Sequence, residues 1–229
     1  MKWRSLEESG PSTDIRPLHE ILAERKELIA RYVPLELQTI HARAVAELIK
    51  SGILESAVSL GAKAPAFELK DHTGKAVSSA ERLRDGPLVV CIFRGRWCPF
   101  CVAQLEAMNR IVPQIKDAGA SLVAISPQTV QQSFFMADQH RLRFPLLSDA
   151  NHQVARRFGL AYRVPDYQQS VYQRAMVNLP FANGDDSWQL PIPATYILDC
   201  DHSIRYASAN ADYRERPEPA EILETLSSF

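Results

Sequence analysis

The chain has 229 residues, of which 46% are hydrophobic and 23% charged, and its formal net charge is −1. This composition is typical of a globular protein with its own core and excludes collagen-like, mucin-like and disordered chains. Charges of both signs are evenly spread, which argues against nucleic-acid or membrane-surface binding. The longest apolar run, 88–93, is too short to span a membrane, and no signal-peptide pattern opens the sequence. We therefore expect a cytosolic protein.

Apolar residues at helical spacing predict two helices in the first sixty residues. The first follows Pro17 and ends before Pro34, and the second leads to Gly52, a residue suited to a helix end. We expect residues 1–60 to form an N-terminal helical arm. The arm would either cap the main domain or make a homodimer contact.

From Gly61 onward, strands alternate with helices, which predicts an α/β domain over residues 61–229 with a mixed or parallel sheet. The predicted elements are, in chain order, a hairpin over 66–78, a buried strand over 88–94, a helix over 99–118 kinked at Pro113, a strand over 121–125, a helix over 129–140, a strand over 144–147, a helix over 154–158, a helix over 165–176 inside a long excursion, a hairpin over 194–207 and a helix over 217–226.

The strongest chemical signal is the C-P-F-C motif from Cys98 to Cys101, placed where a buried strand ends and a helix begins. Unpaired backbone N–H groups and the positive end of a helix favour a thiolate there, and such sites lower a thiol pKa to roughly 3.5–7.5. The i, i+3 spacing brings Cys101 onto the same helical face. Cys98 is therefore the expected nucleophile and Cys101 the thiol that resolves the oxidised form.

Two other interpretations of the cysteine pair remain open. Zinc sites use the same spacing, but no second pair of cysteine or histidine ligands accompanies the motif, so we predict neither a metal nor another cofactor. The pair could also be two inert buried thiols. Of the remaining cysteines, Cys91 falls in the apolar run and Cys200 in a predicted turn between two aspartates, and we expect neither to be catalytic.

Three further residues lie where they could shape the site. Pro193 enters an apolar strand, where proline is tolerated only at the first residue, so the Ile192–Pro193 bond is either an ordinary trans bond or a cis bond. Trp97 precedes the nucleophile and either shields it or packs at the strand end. Trp188, in the long excursion, either roofs the site or fills the core beneath a loop.

Three segments together resemble the alkyl hydroperoxide reductase/thiol-specific antioxidant (AhpC/TSA) family, and more narrowly its bacterial peroxiredoxin-like branch with a thioredoxin-type C-P-x-C. They are residues 93–101, 123–128 and 193–199, and the resemblance extends from about residue 40 to the C-terminus. It implies a thioredoxin-like fold, a central mixed sheet flanked by helices, here with an N-terminal helical extension. It also implies Cys98 as the attacking thiol, Cys101 as its partner and Pro193 as a cis-proline facing them.

The sequence departs from the family at the peroxide-activating residues. Members read P-x-x-x-T-x-x-C before the nucleophile, where the threonine and a distant arginine bind the peroxide oxygens. Here Cys91 stands at the proline position, Gly95 at the threonine position and Pro193 at the arginine position. Arg94 and Arg96 are the candidate replacements, because they flank the motif with positive charge.

Three functional hypotheses follow. The first is a peroxidase that reduces hydrogen peroxide or an organic hydroperoxide through Cys98 and Cys101 and is recycled by a thioredoxin or glutathione system. The second is a thiol-disulfide oxidoreductase acting on protein or small-molecule disulfides. The third is a redox-responsive interaction protein. The family resemblance favours the first, whereas the missing threonine and arginine favour the second.

Overall fold

A seven-stranded mixed sheet lies at the centre of the computed structural model, which describes residues 10–228. The first nine residues of the predicted arm and Phe229 lie outside the described residues. The strands are β1 (Glu68–Asp71), β2 (Ala76–Ser78), β3 (Leu88–Ile92), β4 (Ser121–Ser126), β5 (Leu146–Ser148), β8 (Ala194–Leu198) and β9 (Ile204–Ala209). Their order across the sheet is β2-β1-β5-β4-β3-β8-β9, and β6 (Ala161–Arg163) pairs with β7 (Gln189–Pro191) as a separate antiparallel ribbon.

Ten α-helices surround these strands within residues 10–228. They are α1 (Leu18–Tyr32), α2 (Leu35–Lys50), α3 (Ser79–Arg84), α4 (Pro99–Arg110), α5 (Val112–Asp117), α6 (Val130–Gln139), α7 (Gln153–Arg157), α8 (Asp166–Arg174), α9 (Leu179–Asn183) and α10 (Pro219–Leu226). The predicted break near Pro113 is confirmed, since α4 ends at Arg110 and α5 begins at Val112. A proline has no N–H with which to continue the ladder of the preceding helix.

β3 is a central strand, paired with parallel β4 on one edge and antiparallel β8 on the other, and a separate core covers each of its two faces. Its alternate side chains divide between two cores: Val89 and Cys91 face the core that contains α4, while Val90 and Ile92 face the opposite one. This explains why the strand is a continuous apolar run rather than an alternating pattern. The mixed sheet with flanking helices confirms the predicted thioredoxin-like fold.

The two arm helices pack on the elements that surround the cysteine motif. Leu18, Ile21 and Leu22 of α1 join the core beside α4. α2 packs against α8, the helix of the long excursion. The division of the chain at residue 60 stays a prediction.

The expected cis bond before Pro193 is not found, because no cis peptide bond occurs between residues 10 and 228. The prediction that Ile192–Pro193 is cis is therefore wrong. On one side the Ile192 N–H donates to the carbonyl of Leu160 at 2.7 Å, and on the other the carbonyl of Pro193 accepts from Asn210 at 3.4 Å. An extended chain held on both sides keeps the intrinsically favoured trans form.

No helix among residues 10–228 is long and apolar enough to cross a membrane.

Candidate active site

The cysteine motif lies at the carboxyl end of β3, where a short connection leads into α4. Cys98 is the N-cap of that helix and Pro99 its first residue, a position that needs no N–H donor. The Sγ atoms of Cys98 and Cys101 are 2.9 Å apart and share a hydrogen bond. Both cysteines are free thiols and both are buried. The structure therefore brings together the two residues that the sequence predicted as a redox pair.

The two thiols influence each other's ionisation, and their pKa values shift in opposite directions. Burial opposes ionisation of Cys101, but the hydrogen bond with Cys98 and the charges of Arg216 and Arg94 outweigh it and lower the pKa of Cys101 to about 5. Burial and the adjacent Cys101 raise the pKa of Cys98 well above its ordinary value. Arg94 and Arg216 lower the pKa of both thiols, so they favour one negative charge on the pair.

The sequence expectation of a thiolate on Cys98 stays a prediction. Cys98 occupies the N-cap, and its side chain makes no capping hydrogen bond. Its backbone carbonyl accepts from the N–H groups of Cys101 and Val102. Its sulfur accepts a hydrogen bond from the Cys101 thiol.

Arg216 is a residue of the site that sequence reasoning missed. Its Nη2 donates to the Cys101 Sγ at 3.5 Å, and the backbone N–H of Arg94 donates to the same sulfur. Arg216 lies in the segment between β9 and α10. Nothing in the pattern around it separates it from a solvated arginine, because its position depends on how the C-terminal segment folds back over α4.

Arg94 is buried in a cage of aromatic rings. Its Cζ lies 4.1 Å from the centroid of the Tyr213 ring and 4.9 Å from that of Trp97. Its Nη2 donates to the Tyr172 hydroxyl. A guanidinium remains charged under these conditions, and cation–π contacts and the hydroxyl offset its lost hydration. The predicted candidate Arg94 thus places a buried positive charge close enough to act electrostatically on Cys98.

The N-terminal arm supplies the outer layer of the cage. His41 of α2 packs edge-on against Tyr172 and Tyr213, with ring centroids 5.7 and 6.3 Å away. Its Nδ1 is 2.9 Å from the Nε2 of buried Gln168 on α8. Burial lowers the pKa of His41 to about 4, so the ring is neutral near pH 7.

The remaining predicted site residues lie at different distances from the chemistry. Arg96 extends away along α6, where its guanidinium reaches Gln132 and Gln139 at 3.5 and 3.2 Å. Trp188 packs with Trp97 on one small apolar cluster. Pro193 is buried and immediately precedes Ala194, which pairs with Ile92 at the end of β3.

The other two cysteines lie in environments that differ from that of the pair. Cys91 is opposite Thr195 in the sheet, and burial raises its pKa to about 12. Cys200 is exposed in the turn before β9. Within residues 10–228, no group of three His, Cys, Asp or Glu side chains is arranged to hold a metal ion.

A buried, hydrogen-bonded dithiol lies at the strand-to-helix junction of this thioredoxin-like fold, and such a pair of thiols can in principle be oxidised to a disulfide. The family model of the AhpC/TSA family matches residues 60–207. The chain therefore belongs to the AhpC/TSA family.

Curated relatives and solved structures agree with this assignment. The chain is 33% identical over 110 residues to "Peroxiredoxin Q, chloroplastic" of Triticum aestivum, a match that covers 48% of this chain and 50% of that one. It is 28% identical over 172 residues to the protein of the same name in Oryza sativa subsp. japonica, covering 75% and 68%. The chain spans about half to two thirds of the curated relatives it matches.

Among solved structures, the peroxidoxin BcpB from Mycobacterium tuberculosis has a TM-score of 0.60 at 23% identity, covering 75% of this chain and 98% of that one. Xanthomonas campestris peroxiredoxin Q has a TM-score of 0.54 at 16% identity, covering 71% and 90%. At these identities the likeness shows the fold.

Proposed function

We propose that the protein is a thiol-dependent peroxidase that reduces hydrogen peroxide or organic hydroperoxides through Cys98 and Cys101. The observation that carries the proposal is the 2.9 Å contact between the two sulfurs, with the guanidinium groups of Arg216 and Arg94 near them. Sulfur nucleophiles react as thiolates, and two neighbouring cations favour the singly ionised dithiol that supplies such a nucleophile near neutral pH.

In the reactive form the shared proton lies on Cys101, which donates a hydrogen bond to the Cys98 thiolate. The Cys98 thiolate then attacks the terminal oxygen of the hydroperoxide, so that an S–O bond forms, the O–O bond breaks and Cys98 becomes a sulfenic acid. The leaving alkoxide takes the proton from the Cys101 thiol and departs as an alcohol. Sulfur is oxidised by two electrons and the peroxide is reduced by two.

The second step closes the disulfide. Cys101, now a thiolate, attacks the Cys98 sulfur and expels hydroxide, which leaves a Cys98–Cys101 disulfide. Arg216 favours this step because its guanidinium stabilises the thiolate form of Cys101. A thioredoxin or glutathione-type reductant would restore the dithiol. We place this cycle in the cytosol, which keeps thiols reduced.

The test is the rate at which peroxide oxidises the fully reduced protein, measured by stopped-flow fluorescence. Intact mass and peptide mapping then identify the product. We expect a rate far above that of free cysteine at the same pH and a Cys98–Cys101 disulfide. Cys98→Ser should abolish the reaction, Cys101→Ser should accumulate a sulfenic acid that dimedone traps, and Cys200→Ser is the matched control with no effect. A wild-type rate equal to that of free cysteine would refute the proposal.

A second candidate, thiol-disulfide exchange with protein or small-molecule disulfides, is favoured by the residues that replace the family's threonine and arginine. Gly95 and Pro193 offer no side-chain donor to a peroxide. This function predicts insulin reduction by the wild type and a mixed disulfide trapped in Cys101→Ser. Peroxide oxidation no faster than that of free cysteine, together with rapid insulin reduction, would leave this candidate in place of the first.

A further inference from the structure

The indole of Trp97 occupies the space that a side chain at position 95 would need. Gly95 has φ +147°, and a Cβ built on it would lie 2.5 Å from the Trp97 Nε1 and 3.0 Å from its Cδ1. A threonine therefore does not fit at this position while the indole stays in place. An N–H donor instead stands next to the place where the family's threonine would project.

The Trp97 N–H is buried and has no hydrogen-bond partner among residues 10–228. Buried donors are almost always paired, and an unpaired one costs about 1–3 kcal/mol. This donor belongs to the residue that immediately precedes the nucleophile, and its ring packs between Arg94 and Tyr172, with centroid distances of 4.9 and 5.4 Å. The ring is thus held in place by its neighbours, and its one polar atom has no partner in the described part of the chain.

We propose that the Trp97 N–H donates a hydrogen bond to an oxygen of the hydroperoxide that reacts with Cys98, the role that the family resemblance gives to a threonine. The inference rests on the proposed peroxidase function. As the S–O bond forms and the O–O bond breaks, negative charge develops on the leaving oxygen, and a fixed donor stabilises that charge. The leaving oxygen takes its proton from Cys101, and Trp97 keeps its own.

The test compares Trp97→Phe with Tyr167→Phe. Each variant loses one aromatic hydrogen-bond donor, but the Tyr167 hydroxyl donates to the exposed carboxylate of Glu47, between α8 and α2. We expect Trp97→Phe to lower kcat/KM for hydrogen peroxide and tert-butyl hydroperoxide by about 100-fold, as for loss of one transition-state donor. Reaction of the reduced pair with an aromatic disulfide, which has no peroxide oxygen, should stay within about twofold because the thiolate is unchanged. Tyr167→Phe should leave both rates near wild type.

Three outcomes would count against this role. Unchanged peroxide kinetics in Trp97→Phe would overturn it, and equal slowing of the peroxide and disulfide reactions would make Trp97 a packing residue only. A wild-type protein that reacts with peroxide no faster than free cysteine would remove the proposed function and this inference together. Should Trp97→Phe fail to fold, 3-benzothienylalanine placed at position 97 replaces the N–H by sulfur in a ring of the same shape and should give the same selective loss.

Discussion

Replacing Arg216 by glutamine should move the ionisation of the dithiol by an amount that follows from its geometry. Unit charges separated by the 3.5 Å between Arg216 Nη2 and Cys101 Sγ attract by about 5 kcal/mol at an effective dielectric constant of about 20. One pKa unit corresponds to about 1.4 kcal/mol. Loss of the guanidinium should therefore raise the pKa of Cys101 from about 5 by as much as about 3 units, to about 8.

The consequence for catalysis is selective. At pH 7 a thiol with a pKa of about 8 is about one-tenth ionised, so disulfide closure should slow about tenfold and become faster as the pH rises. Thiolate absorbance at 240 nm reports the titration, and trapping of the Cys98 sulfenic acid reports the slowed closure. Arg214→Gln is the matched control, because Arg214 pairs with Asp212 at 2.7 Å rather than with sulfur. A titration curve that Arg216→Gln leaves in place would refute the electrostatic assignment.

Three further predictions concern the fold and the outer site. Burial lowers the pKa of His41 to about 4 in the folded protein, so near pH 5 the unfolded chain binds a proton that the native state does not. The free energy of unfolding should therefore fall by about 2 kcal/mol between pH 7 and pH 5. Urea unfolding of His41→Gln should show most of this pH dependence lost. Gly159→Ala should lower the free energy of unfolding by about 3 kcal/mol or more, since its Cβ would meet the Ser56 carbonyl oxygen at 1.9 Å. Gly74→Ala, whose Cβ would have no atom within 4 Å, should lower it by only about 1 kcal/mol. Calorimetry measures both values. Arg96→Met should leave the peroxide rate within about twofold, and a larger loss would contradict the contacts of its side chain with α6.

The spacing of apolar and turn-forming residues predicted most of the helices and strands, because that spacing reflects which side chains are buried and where the chain turns. The continuous apolar run of β3 follows from helices on both faces, and the hairpin turn between β1 and β2 follows from Asp71, whose carboxylate accepts from the N–H groups of Thr73 and Lys75 at 2.8 and 3.0 Å. The β6–β7 ribbon was not predicted. Its strands are short and its partners lie far apart in the chain, so neither carries a period long enough to detect.

The sequence predicted the cysteine pair of the site but not the residues that surround it. The proximity of the i, i+3 cysteines was predicted from the sequence, because the helix that joins them fixes their distance. Arg216 and the tyrosines of the cage come from segments far apart in the sequence, and only the folded chain brings them to one point. The Cys98 thiolate stays a prediction, because position at an N-cap does not determine where the sulfur points and a neighbouring thiol competes for the proton.

The shared proton explains how one short motif can serve both halves of the proposed reaction. Cys101 gives its proton to the leaving oxygen when Cys98 attacks, and the thiolate this creates is the nucleophile that the next step requires. The sulfurs start 2.9 Å apart, and a disulfide bond is about 2.05 Å long, so closure needs a shift of about 1 Å rather than an opening of the fold. A resolving cysteine on a distant segment would need a larger rearrangement. The sulfenic acid on the attacking cysteine would then persist longer and be more readily oxidised further. On this argument Arg216 shortens the lifetime of the sulfenic acid, and the Arg216→Gln variant should lose more of its activity to overoxidation at each turnover than Arg214→Gln does.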